Sequence, residues 1–462
     1  MGSEMCIRDR ATFNRYAHPC SPGTTLEQLV LPATSTEPNG LERVLLASFD
    51  VEIDWLESLF PDVPVTYLGN PPPGDSRTDP RVPPPGFYAS SARHNWEMGI
   101  PRKPHGRALQ HIKLILLFFR THLRVAVSTG NLSRVDWSRY ENAVFVQDFP
   151  TTASSTARQL ASSRGPNAPG AEFRPQLERV LEALSVPRTH AARSRLGQYA
   201  FEGATAHLVA SWPVSPVQRG WDAMERAGLA RLGRVVRSLG AAPRGLPPLE
   251  AQGSSLASYD RRWLETFYLL ATGHDARTCL PLATRRGAGA DAPSQEFTRC
   301  TGHEGWPPVR ILFPSQHWVE NEAVEGKLGG GCFFGKPDEF ARRGQRELYG
   351  QPVSHRGNIF MHAKSLLVCE EQATTSANGG DQRDAGATGW VYLGSANFTR
   401  AAWGTISGTR EQPTQSISNW ELGVVLPLHG VRIDGDPLDA VMYRRPTRRY
   451  SKDDAPWDMR TM

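Results

Sequence analysis

Lysine is scarce in this 462-residue chain. Only six occur (Lys103, Lys113, Lys327, Lys336, Lys364, Lys452) among 52 Lys and Arg together, so 46 of the cationic positions are arginine. The six cysteines (Cys6, Cys20, Cys279, Cys300, Cys332, Cys369) are scattered and form no C-x-x-C pair. That pattern argues against a zinc site or a disulfide framework and predicts reduced thiols in an intracellular compartment. Apolar runs are short. Leu114 to Phe119 is the longest near the first candidate site, far below the roughly 20 residues a bilayer span requires. No apolar secretory core follows the amino terminus, and Met1 to Arg10 reads as foreign to the fold. Net charge is only +5 with a pI near 8.9, which permits a nucleic-acid partner without demonstrating one.

A duplicated motif is present against this background. Gln110-His111-Ile112-Lys113 precedes an apolar run, followed by Gly130-Asn131-Leu132-Ser133-Arg134 and Trp137. Met361-His362-Ala363-Lys364 precedes another, followed by Ala396-Asn397-Phe398-Thr399-Arg400 and Trp403. In both copies Lys follows His by two and Trp follows Asn by six. A small residue precedes each Asn, and a hydroxyl residue then Arg follow at equal offsets. Two of the six lysines therefore sit at matched positions in a chain that otherwise uses Arg, and the two cations are not interchangeable in a tight site.

Residues two apart on a strand share a face, so His111 and Lys113, and likewise His362 and Lys364, are expected to point together. An imidazole can attack phosphorus or carry a proton near neutral pH. The ammonium neutralises phosphate oxygens, and a carboxamide adds a directional donor. With two such sets, one histidine can be nucleophile and the other general acid.

These residues resemble the phospholipase D superfamily. Most of that superfamily carries Asp five residues after the Lys, where this chain has Phe118 and Cys369. The downstream Asn in each copy resembles the tyrosyl-DNA phosphodiesterase branch instead. The resemblance runs from about Leu41 to Trp457 and includes Phe49-Asp50, Asp136-Trp137, Ser254-Ser255-Leu256 and Trp420-Glu421-Leu422-Gly423-Val424. It implies an α/β fold of two phospholipase D-like α/β/α sandwich halves related by a pseudo-twofold, with the active site at their junction. The expected division is 1–40 disordered or non-native, 41–215 first half, 216–462 second half. The resemblance further implies hydrolysis of a 3′-phosphodiester between DNA and a topoisomerase I-derived tyrosine, through a phosphohistidine. His111 would be the nucleophile and His362 the acid, with Lys113, Lys364, Asn131 and Asn397 on the phosphate oxygens. Glu421 would orient a histidine, and Asn142 would be its counterpart in the first half. Ser254, Ser255, Ser133 and Thr399 are candidate phosphate contacts, although the last two could equally cap the turns that follow them.

No metal and no other cofactor is implied. The implied partners are DNA with a blocked 3′ end and the attached topoisomerase I-derived peptide, for a nuclear monomer that does not engage a membrane. Rival readings are a phospholipase D-type nuclease or phospholipid hydrolase, and a catalytically silent DNA-end-binding homologue.

Along the chain, the pattern predicts strands at 44–47, 65–68, 112–119, 123–128, 143–146, 206–211, 309–313, 391–394 and 421–426. Helices are predicted at 51–60 and 174–184, and a basic amphipathic one over 221–239 carrying Arg226, Arg231, Arg234 and Arg237. His122 is expected in a solvated turn, and Gly329-Gly330-Gly331 as a flexible turn. Loops are expected at 71–85, 151–171 and 285–294, and a surface insertion over 370–388. The ending Tyr450 to Trp457 resembles a segment that continues further in the family.

Overall fold

The computed structural model describes residues 10–11, 15, 23–30, 40–70, 83–90, 93–104, 106, 108–154, 169–214, 217–240, 245–280, 293–343, 345–369, 389–428 and 441–461. The expected insertion at 370–388, Pro71 to Pro73, and most of the 151–171 and 285–294 loops lie outside the described residues. The chain forms two compact units. The first is Met1–Ser215 with Leu393–Ala396 and Ser418–Val424; the second is Pro216–Tyr392, Asn397–Ile417 and Val425–Met462.

In the first unit the strand Leu41–Ala47 lies between Leu114–Phe119, antiparallel, and Val65–Leu68, parallel. Val65–Leu68 is followed by Trp96–Ile100, parallel, and the antiparallel strand Gly86–Ala89. On the other side the sheet continues antiparallel through His122–Ser128, Ala143–Pro150 and Arg10–Ala11. Leu114–Phe119 is buried along its whole length because both faces of the sheet are covered. On one face Leu117 and Phe119 join Val44, Leu46, Trp55 and Leu56, the last two from the helix Ile53–Leu59. On the other, Phe149 meets Phe173 of the helix Pro169–Ala183 at 4.9 Å. A strand buried on both faces reads as an unbroken apolar run, which is how the sequence exposes it.

The second unit repeats these relations. Leu249–Gln252 lies antiparallel to Lys364–Cys369 and parallel to Val309–Leu312. Tyr349–Gln351 follows in parallel, and Arg448–Arg449 closes the edge antiparallel. The duplication seen in the two motifs thus extends to the strands around them. The helix Arg261–Ala271 covers one side, with Phe267 against Phe398 at 4.7 Å and Trp403 at 5.4 Å.

Several expectations are corrected. The segment before residue 41 contains the helix Leu26–Val30, whose Leu26, Leu29 and Val30 enter the core of the first unit. It starts with a reciprocal cap: Gln28 N donates to Thr25 Oγ1 at 3.2 Å, and Thr25 N donates to Gln28 Oε1 at 3.0 Å. A five-residue helix is too short to show a period, but Thr-x-x-Gln is a capping signature. The helix foreseen over 221–239 is two, Trp221–Met224 and Gly228–Ser238. Gly228, which opens the second, takes φ +57°, and a Cβ there would lie 2.6 Å from Trp403 O. Arg231 is buried, and Arg237 Nη2 bonds Glu225 Oε1 at 2.8 Å, so these two do not form an outward basic face.

The reduced-thiol expectation fails at Cys279 and Cys300, which form a disulfide. The helices Ala276–Cys279 and Gln295–Thr301 bring their Cα atoms to 6.0 Å across 21 residues, a pairing local spacing does not signal. The Gly329 to Gly331 turn is packed: Trp457 Nε1 donates to Gly330 O at 3.0 Å, and a Cβ on Gly330 would meet that nitrogen at 2.4 Å. His122 opens a strand, stacks on Phe119 at 4.5 Å and lies 3.7 Å from Asp148; burial lowers its pKa. Among the described residues no helix is long and apolar enough to cross a membrane.

Candidate active site

His111 and Lys113 do not lie on a regular strand. The pair Leu109–Gln110 runs parallel to Asn419–Trp420, and Leu114 opens the next strand, so residues 111–113 form the break between them. His111 N donates to Trp420 O at 2.9 Å. That pairing brings the following residue, Glu421, beside the ring, and His111 Nδ1 lies 2.9 Å from Glu421 Oε2.

Glu421 is fully enclosed. Burial alone would raise its pKa, but the charge and hydrogen bond of His111, the charge of Lys113 and the Ser395 hydroxyl outweigh it, and the carboxyl is held below the usual glutamate range. Ser395 Oγ donates to Oε2 at 2.5 Å, and Asn419 Nδ2 donates to Oε1 at 3.1 Å. Because a carboxylate only accepts, the His111 nitrogen facing it carries hydrogen. When the ring is neutral its lone pair is then on Nε2.

The Lys113 ammonium is buried and folds back to donate to His111 O at 2.8 Å, rather than extending beside the imidazole from a shared strand face. It also lies 5.8 Å from the centroid of the Phe49 ring, which is 5.5 Å from the His111 ring. The Asn131 loop docks on the same segment: Leu132 N donates to Asp50 O at 3.2 Å, and Glu52 N donates to Leu132 O at 2.9 Å. Asn131 Nδ2 donates to Asp136 Oδ2 at 2.9 Å, and Trp137 Nε1 donates to Asn131 O at 2.9 Å. The latter bond accounts for Trp137 in this copy alone, because the matched Trp403 has a buried Nε1 without a hydrogen-bond partner among the described residues. Asn142 is buried beneath this loop, with Nδ2 donating to Asp136 O at 2.9 Å and Oδ1 accepting from Thr129 Oγ1 at 2.9 Å. A Cβ on Gly130 would meet Asn142 at 2.9 Å, so this copy has glycine there.

In the second unit Lys364 opens its strand, is fully buried, and donates to His362 O, as Lys113 does to His111. His362 is 6% exposed, and its ring lies 6.4 Å from that of Phe333. Gln252 Nε2 donates to Met361 O at 3.0 Å, tying the end of one strand to the residue before His362. Asn397 Oδ1 accepts from Ser254 N at 2.9 Å and from Ser255 N at 3.1 Å. A Cβ on Gly253 would lie 2.8 Å from that oxygen. These two backbone amides are therefore engaged with the Asn397 side chain rather than open to a phosphate.

Ser133 and Thr399 are helix N-caps. Ser133 Oγ accepts from Asp136 N at 3.5 Å, and Thr399 Oγ1 accepts from Ala402 N at 3.2 Å. Ser133 Oγ also donates to Asp136 Oδ2 at 3.3 Å. The capping alternative thus describes both hydroxyls.

Sequence reasoning passed over Ser395, Asn419 and the role of Asp136. Ser395 and Asn419 stand two residues before Asn397 and Glu421 respectively, but only the fold turns them onto a carboxylate. Among the described residues no group of three or more His, Cys, Asp or Glu side chains could hold a metal ion.

A family model described as tyrosyl-DNA phosphodiesterase matches residues 28–455. Tyrosyl-DNA phosphodiesterase 1 of Arabidopsis thaliana is 24% identical over 408 residues, covering 85% of this chain and 58% of its own. The Drosophila melanogaster protein of the same name is 24% identical over 382 residues, covering 78% and 58%. The chain thus spans 58% of the length of each. The crystal structure of yeast tyrosyl-DNA phosphodiesterase aligns with a TM-score of 0.63 at 16% identity, over 98% of this chain and 99% of that one. A histidine-to-asparagine variant of the yeast protein gives 0.64 at 16% identity, over 97% and 99%. At such identities the likeness establishes the fold, an α/β architecture of the phospholipase D type.

Proposed function

Because the chain belongs to the tyrosyl-DNA phosphodiesterase family, we propose that it hydrolyses the phosphodiester joining the 3′ end of DNA to a tyrosine or another 3′ adduct. The tyrosine adduct is the scar of a stalled topoisomerase I. The observation that carries this reading is the bond between His111 Nδ1 and the enclosed Glu421 carboxylate. It fixes the ring orientation and leaves Nε2 as the nucleophilic nitrogen, as a carboxylate behind a catalytic histidine does elsewhere.

His111 Nε2 attacks phosphorus, and the bond to the tyrosine oxygen breaks. The leaving oxygen takes a proton from His362 and departs as the phenol. A water then attacks phosphorus, giving its proton to His362, and the phosphorus–nitrogen bond breaks to return His111 and a DNA 3′-phosphate. Lys113, Lys364, Asn131 and Asn397 hold the non-bridging oxygens; a preorganised donor of this kind is worth about 3 kcal/mol. Two ammonium groups supply the charge a divalent cation would otherwise bring. A DNA substrate of this kind supports the nucleus as its place of work.

The test is a 3′-phosphotyrosyl oligonucleotide assayed in EDTA. The expected product is the 3′-phosphate; His111→Ala abolishes turnover, and His362→Ala accumulates labelled protein that survives alkaline denaturation and loses its label in acid, as a phosphorus–nitrogen bond does. Absence of turnover by the unaltered protein, or undiminished turnover by His111→Ala, overturns the proposal.

A further inference from the structure

The two half-sites anchor their asparagines from opposite ends of the amide. In the second unit the Asn397 carbonyl oxygen is held by the backbone amides of Ser254 and Ser255, so its NH2 group points away from its support. In the first unit the support is a side chain and grips the NH2 group: Asn131 Nδ2 donates to Asp136 Oδ2 at 2.9 Å. The same offset from the second asparagine holds Ala402, which can do nothing of the kind. The motifs are duplicated, but the device that sets each amide is not.

Asp136 is itself tightly set. It is 3% exposed. Oδ1 receives Asn142 Nδ2 at 3.3 Å, and Oδ2 receives the Ser133 hydroxyl at 3.3 Å as well as Asn131. Asn142 is fixed in turn by Thr129 Oγ1, which accepts from Ala143 N at 2.9 Å. This buried chain runs from the main chain of the strand Ala143–Pro150 to the Asn131 amide without a gap. Its direction is chemically forced, because a carboxylate offers only lone pairs and an amide flipped against it would set oxygen on oxygen. Asn131 Oδ1 is sealed from solvent and has no hydrogen-bond partner. An unpaired buried acceptor is a cost that native structures seldom carry without a reason. The polar hydrogen that Asn131 has left to offer an anion is the second N–H of Nδ2.

We infer that Asp136 is a positioning residue of the first half-site, locking the Asn131 carboxamide so that an N–H, never the carbonyl oxygen, faces the phosphodiester. The inference rests on the phosphodiesterase reading of that half-site. It makes the half-sites unequal: the first depends on one side-chain carboxylate, the second on backbone.

A pair of substitutions at Asp136 tests it. Asp136→Asn removes the constraint on the amide, Asp136→Glu keeps an acceptor for it on a longer arm, and each is compared with the unaltered protein on a 3′-phosphotyrosyl oligonucleotide below its unfolding midpoint. Asp136→Asn is expected to lower kcat by about 10- to 100-fold with KM changed far less. Asp136→Glu is expected to recover part of that kcat. A merely structural role predicts lowered unfolding midpoints with full kcat in the folded protein. That outcome for Asp136→Asn overturns the inference. If Asp136→Asn fails to fold, Asp136→Glu decides: full kcat at lowered stability overturns the inference, and reduced kcat at little-changed KM upholds it. An inactive unaltered protein would instead fault the phosphodiesterase reading, which keeps the two failures apart.

Discussion

At the scale of single residues, the enclosed Glu421 carboxylate is the group on which the first half-site turns. Its two oxygens accept from His111, Ser395 and Asn419. Glu421→Gln keeps the size but removes the charge that fixes the His111 tautomer, and an amide can offer NH2 where the imidazole also offers N–H. Turnover is expected to fall by about 10³-fold or more, by analogy with removing the carboxylate of a catalytic triad; single-turnover kinetics check it. Stability carries a second signature. The folded carboxyl holds its proton less tightly than the unfolded chain does, so its contribution is complete above the ordinary glutamate value of about 4.3 and is lost as pH falls through the lower folded value. Unfolding midpoints of the unaltered protein should therefore drop more steeply on acidification than those of Glu421→Gln. The histidines, lysines and asparagines were legible in the sequence because a repeat displays them at equal offsets. Ser395, Asn419 and Asp136 were not, since what they do depends on which carboxylate or amide the fold sets beside them. Ser133 and Thr399 show the reverse case, where matched offsets marked helix caps.

At the scale of elements, the long apolar strands were readable and the short or interrupted pieces were not. Leu114–Phe119 and Lys364–Cys369 are buried along their length, and burial on both faces leaves an apolar run that needs no period to be seen. The 221–239 pattern has helical spacing throughout, yet the chain breaks at Gly228 because Trp403 and Ile417 press against that backbone. Periodicity reports which face is apolar, not whether the main chain bends. Gly228→Ala tests this. An L side chain in left-handed backbone costs about 1–2 kcal/mol, and the contact with Trp403 O adds to it, so a loss of a few kcal/mol in urea unfolding is expected. A helix that continued straight through 221–239 would instead be stabilised by alanine. The Leu26–Val30 helix gives a milder prediction. Thr25→Ala removes one arm of its reciprocal cap and should cost about 1 kcal/mol, read as a lowered urea midpoint.

At the scale of the whole molecule, chain order and compact units do not coincide. The first unit takes Leu393–Ala396 and Ser418–Val424 from late in the chain. The sequence offers no sign of this, because a strand exchanged into another unit is as apolar as one that stays home. The exchange has an energetic consequence. Trp420, Leu422 and Val424 are buried, and burying such side chains fully is worth about 1.5–3 kcal/mol each. Residues 1–215 alone would lack all three, together with Glu421 and the strand that pairs with Leu109–Gln110. A cut between Ser215 and Pro216, the boundary a linear reading suggests, therefore removes several kcal/mol from a total that is commonly only 5–15, and also takes away the partner of His111 Nδ1. Expressed separately, residues 1–215 should show no cooperative unfolding transition, whereas the two pieces expressed together should co-purify and recover it. A separately expressed 1–215 that unfolds cooperatively, with native near-ultraviolet circular dichroism, would mean that the late strand adds nothing to the first unit and that His111 is set without Glu421.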